Sequence, residues 1–127
     1  MRLVSDPVFG EVELTASAEA LAGLASAVAE GDGFIAATLP LDGDALAGID
    51  IRDAPGPGIR LELADRRRVL VISGDHAART ILAGNLQAMA AADGGHLHID
   101  HYPDHPYLRE GSVSLVVNSP LGGMPTR

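Results

Sequence analysis

Apolar and polar side chains alternate through the first recognisable segment: Val12 and Leu14 fall on one side, Glu11 and Glu13 on the other. A period of two predicts a half-buried strand over residues 8–14. The period then lengthens. Leu21, Leu24, Ala25 and Val28 recur at i, i+3, i+4 and i+7, which makes one apolar face of a helix over residues 18–30. Thr15 or Ser17 is placed to cap it, and Gly31-Asp32-Gly33 to stop it. Residues 34–48 are left open: FIAATLPL reads as a short strand or not, with Pro40 against a central one, and DGDALAG as one helical turn or a loop.

Two short alternating runs follow, residues 49–52 and 59–63, joined by the turn-rich Ala54-Pro55-Gly56-Pro57-Gly58. Ile59, Leu61 and Leu63 share a face, with Arg60 and Glu62 opposite. The run Val69 to Ile72 is apolar on both faces and predicts a central strand. A second helix opens at Ser73-Gly74-Asp75, with Ser73 or Asp75 as the expected capping oxygen. Its expected buried stripe is Ala78, Ile81, Leu82, Leu86 and Met89, with Arg79 and Gln87 off it, and Asp93-Gly94-Gly95 as its end. A strand over residues 96–102, a proline-marked turn and a last strand over 113–117 complete the chain; residues 119–127 read as a frayed tail. No internal repeat shows in the letters. The expectation is one α+β domain over residues 1–127, with a mainly antiparallel sheet of about five to six strands and two helices packed on it.

At 127 residues the chain is long enough for a core without covalent staples, and with no Cys it has neither disulfides nor thiolate ligands. The opening MRLVSDPVFG lacks an apolar signal region, and no apolar run reaches the roughly 20 residues that span a bilayer. A cytoplasmic protein without membrane contact is expected. The net charge of −8 and the single basic cluster Arg66-Arg67-Arg68 argue against nucleic-acid binding. An acidic surface would instead speed encounter with a basic partner.

The segment His96 to Pro103 raises the one catalytic question. As H-x-H-x-D-H it looks like the metal-binding signature of the metallo-β-lactamase fold. On a strand, His96, His98, Asp100 and Tyr102 line one face, about 6.5–7 Å apart, and Leu97 and Ile99 the other. Two imidazoles and a carboxylate at that spacing suit Zn²⁺, so a small metal-binding protein or metal-dependent hydrolase using His96, His98 and Asp100 is the alternative reading. Against it, the chain is far too short for that fold, and Pro103 and Pro106 obstruct a helix after the motif. Only 26 residues follow His101, and His105 is their sole histidine. No catalytic residue, metal ligand or cofactor is assigned. His76, in the first turn of the second helix, is expected to have no catalytic part.

The tail HLHIDHYPDHPYLREGSVSLVV, with the opening DPVFGEVELTASAEAL, resembles the immunity protein 32 family of bacterial polymorphic toxin systems. The resemblance rests on His96, His98, Asp100, Tyr102, Pro103, His105, Tyr107, Leu108 and Ser112, and does not extend to residues 31–58. It implies a non-enzymatic protein that binds and neutralises a cognate toxin. Tyr102 and Tyr107 are the only tyrosines, on a segment that prolines stiffen, and a stiff loop loses less entropy on binding. Tyr102, Asp104, His105 and Tyr107 are therefore the expected partner contacts, unless one tyrosine caps the core. A third possibility is an accessory domain without a toxin, forming a homodimer or larger homo-oligomer through an open sheet edge.

Overall fold

The computed structural model describes residues 1–6, 10–37, 45–64, 68–92, 95–100, 105 and 107–118. Their elements run β1 (Arg2–Asp6), β2 (Glu11–Thr15), α1 (Ala18–Glu30), β3 (Asp32–Ala36), β4 (Gly48–Asp53), β5 (Ile59–Ala64), β6 (Val69–Gly74), α2 (His76–Ala90), β7 (His96–Ile99) and β8 (Ser114–Asn118). The α+β class is as expected and antiparallel pairing dominates. The strands divide, however, into two four-stranded sheets, β1-β2-β8-β7 and β3-β4-β6-β5, instead of one. In each sheet the two central strands are parallel, β2 with β8 and β4 with β6, and the outer pairings are antiparallel.

Two strands escape the pattern of the sequence. In β1 the inward positions are Leu3 and Ser5, and a buried serine hides the period of two. In β3 the sequence is DGFIA, exposed or half-buried throughout. The run 49–63 also resolves differently from two neighbouring strands joined by a turn. β6 lies between β4 and β5, and the connection 54–58 steps over its end. The Ala54 amide donates to the Gly74 carbonyl at 2.9 Å. A Cβ on Gly74 would meet the Gly58 carbonyl oxygen at 2.6 Å, so the crossing needs a residue without a side chain there.

The elements repeat as two ββαββ halves. A shift of 58 positions carries the β1–β2 pair Leu3–Leu14 onto the β5–β6 pair Leu61–Ile72, and Arg2–Thr15 onto Arg60–Ser73. The same shift carries the buried α1 residues Leu21, Leu24, Ala25 and Val28 onto the buried α2 residues Arg79, Leu82, Ala83 and Leu86. The hairpins β3–β4 and β7–β8 take the same place in the element order, but not at that shift. Each sheet takes its first hairpin from one half and its second from the other. This internal repeat corrects the expectation of none. It lies in burial and register rather than in residue identity.

The helices pack on each other, and a single apolar cluster joins them to both sheets through Leu14, Leu21, Ile51, Leu61, Leu82 and Val117. Burial of each such side chain is worth about 1.5–3 kcal/mol. α1 is capped as expected: Ser17 Oγ accepts from the Ala20 amide at 3.1 Å, and Gly31 ends the helix at φ +81°. α2 departs from expectation in three ways. Asp75 stands at the N-cap but makes no side-chain cap bond; its Oδ1 accepts from the Gly58 amide at 3.0 Å instead. Ile81 is 46% exposed, and Met89 is only half-buried. Arg79 is buried, which a pattern reading of charge as outward excludes.

All three guanidinium nitrogens of Arg79 are nonetheless engaged. Its Nε donates to the Gly74 carbonyl at 3.0 Å, and Nη1 donates to the carbonyls of Val28 at 3.0 Å and Ala29 at 2.8 Å. Nη2 pairs with Asp53 Oδ1 at 2.8 Å. A cation thus meets the C-terminal carbonyls of α1, where the helix dipole favours positive charge and where the last turn has no basic residue of its own.

Candidate functional site

Residues 107–113, between β7 and β8 in the chain, run along the free edge of β5. The Ile59 amide donates to the Tyr107 carbonyl at 2.6 Å, the Arg109 amide to the Ile59 carbonyl at 2.7 Å, and the Val113 amide to the Leu61 carbonyl at 2.9 Å. The Leu61 amide donates to Ser112 Oγ at 3.0 Å. These bonds occupy an edge that would otherwise offer unpaired groups. The first turn of α2 and the 55–58 turn stand beside this segment, and the three enclose a groove of about 260 Å³. Pro57, Asp75, Ile81, His105, Tyr107 and Arg109 are among its walls.

The groove is held by short-range bonds. His105 Nδ1 accepts from the amides of Tyr107 at 3.1 Å and Leu108 at 2.9 Å, so the imidazole fixes the turn that carries it. Its ring meets the Tyr107 ring edge-to-face, with centroids 4.8 Å apart. Tyr107 is buried, and its hydroxyl accepts from Asn85 Nδ2 on α2 at 2.9 Å. Gly58, at φ +101°, lies so close that a Cβ would meet the Tyr107 carbonyl oxygen at 2.9 Å.

Of the expected contacts, His105 and Tyr107 come together here, and Tyr102 and Asp104 lie outside the described residues. Sequence reasoning misses Asp75, Asn85, Ile81 and Arg109 as groove or support residues. Periodicity places Ile81 in the core stripe, and position places Asp75 at a cap. Only the polar Asn85 amid small and apolar helix residues offers a hint of a specific hydrogen bond.

The histidine face is built as expected for a strand. His96 and His98 are exposed on β7, Leu97 is half-buried, Ile99 is buried, and β7 is an edge of its sheet. The two imidazoles meet edge-to-face at 4.6 Å. Asp100 is exposed just past the end of the strand, and His101 lies outside the described residues. Among the described residues no group of three or more His, Asp or Glu is placed to hold a metal ion. His76 is exposed at the first position of α2. No helix among the described residues is long and apolar enough to cross a membrane.

Searches of curated proteins and of solved structures return no significant match. Residues 69–120, a stretch somewhat short of half the chain that runs from the start of β6 past the end of β8, match the model of the Immunity protein 32 family, the family that the histidine strand and its proline-marked continuation resemble.

Proposed function

We propose that the chain is an immunity protein that binds and neutralises a co-encoded bacterial toxin in the cytoplasm by protein–protein contact, without catalysing a reaction. The family match over residues 69–120 carries this reading, because it contains α2, the histidine strand and the whole 102–109 segment. The composition agrees with it. The formal charge of −8 favours fast capture of a basic partner.

The proposed contact segment contains Tyr102, Asp104, His105 and Tyr107. His105 and the buried Tyr107 serve by fixing the segment's shape, since a surface already in its bound form loses little entropy on docking. Co-expression with the neighbouring open reading frame tests the function. Growth restored by this chain, together with co-purification of the two products, is the expected result. A neighbouring product that is harmless alone, or that stays toxic and never co-purifies, would refute it.

A further inference from the structure

The two halves act as each other's control. Over the first hairpin and the helix of each half, the shift of 58 positions pairs equivalent sites, so a residue on one helix can be compared with its counterpart on the other. Ile81 corresponds to Gly23, around which a Cβ would meet nothing within 4 Å, so the fold requires no side chain at that position. Yet α2 places a large apolar side chain there and leaves it 46% exposed. Among the described residues the other exposed large apolar side chain is Phe34. Phe34 serves the fold itself, because its ring lies over Gly48 of β4, where an added Cβ would stand 2.7 Å from Cζ. No comparable glycine lies under Ile81, which instead borders the groove.

We infer that this groove, with Ile81 on its rim, receives an apolar side chain from a basic surface of the toxin. The inference rests on the immunity reading above and names the surface that performs it. At about 260 Å³ the groove falls below the range of roughly 300–1,000 Å³ usual for small-molecule sites, and it suits one inserted side chain. Ala77, Ala78, Leu108 and the Tyr107 ring give it an apolar lining. Its walls are preset by the His105 and Asn85 bonds and by the Asp75–Gly58 bond. The charge of the partner follows from complementarity. The chain carries 17 acidic residues against nine arginines, and this overall negative charge, rather than the groove wall where Arg109 stands with Asp75, attracts a basic partner.

The decisive experiment is calorimetric titration of the purified chain with the product of the neighbouring reading frame, inactivated if toxic. Ile81→Arg is compared with wild type and with Gly23→Arg, its counterpart on α1. Thermal melts check the fold of each variant, and Ala77→Arg on the same rim gives a second measurement. Ile81→Arg and Ala77→Arg are expected to weaken binding by about thirtyfold or more, the scale of an interface anchor. Gly23→Arg is expected to change it by no more than about twofold. The association rate of wild type should fall as salt rises. Binding of folded Ile81→Arg within about twofold of wild type, an equal loss in Gly23→Arg, or an association rate indifferent to salt would overturn the groove while leaving the immunity function standing. Failure of the wild-type chain to form any complex would overturn both.

Discussion

The guanidinium of Arg79 donates to the backbone carbonyl of Val28, so a side chain from the first turn of α2 closes the last turn of α1. In the repeat Arg79 holds the place of Leu21, and the equivalent position on α1 is filled by hydrocarbon alone. Arg79→Leu would copy that packing but would strip acceptors bonded at Gly74, Val28 and Ala29 of their donor. Each buried carbonyl left without a donor costs about 1–3 kcal/mol, so a loss of a few kcal/mol is expected, read as a lower urea midpoint. Asp53→Asn should cost no more than about 1 kcal/mol, because the Asp53 side chain is 68% exposed and water replaces its part of the pair.

Tyr107→Phe removes the acceptor for Asn85 and keeps the ring. A loss of about 1 kcal/mol is expected. Tyr107→Ala empties a buried aromatic site and should cost about 3–5 kcal/mol. Denaturant titration of the two variants separates the hydroxyl from the ring.

His105→Ala leaves the amides of Tyr107 and Leu108 without their imidazole acceptor. Stability should fall by about 1–2 kcal/mol. Hydrogen exchange should accelerate first at those two amides, with the core strands β2 and β6 retaining their protection.

Gly58→Ala forces a Cβ into a left-handed residue at φ +101° and against the Tyr107 carbonyl. Strain of about 1–3 kcal/mol is expected, visible as a lowered melting temperature. The same substitution at Gly10, φ +63° with open space around it, should cost less.

His96→Ala/His98→Ala should leave stability within about 0.5 kcal/mol of wild type, since both imidazoles sit on the accessible side of an edge strand. On the immunity reading proposed above, toxin neutralisation should survive a chelator. A wild-type melting temperature that climbs with one equivalent of Zn²⁺, and does not climb in the double variant, would favour the metal reading of that face.

Elements whose inward positions carry hydrocarbon are legible in the chain. α1 announces itself through Leu21, Leu24 and Val28, and the central place of β6 through Val69 to Ile72, because burial and side-chain chemistry agree there. Legibility fails where they part. Ser5 is buried in β1, Arg79 is buried in α2, and Ile81 is exposed. Each inverts the rule that apolar faces inward, and the compensation comes from groups distant in sequence, such as the α1 carbonyls that satisfy Arg79. The division into two sheets is hidden for the same reason, since the pairing of β2 with β8 leaves no local trace. The candidate site is half legible. Tyrosines and prolines mark the 102–109 segment, but the α2 residues that complete the groove look like ordinary helix.

The exchange of hairpins between the halves has a consequence for biosynthesis. Glu11 lies beside Ser114, so the first sheet can close only after the ribosome has delivered nearly the whole described chain. Closing so long a loop is entropically slow, and topologies rich in such distant pairings fold late rather than piecemeal. An unfinished nascent chain therefore lacks both the completed sheet and the groove, and the proposed binding surface forms only once β8 has emerged.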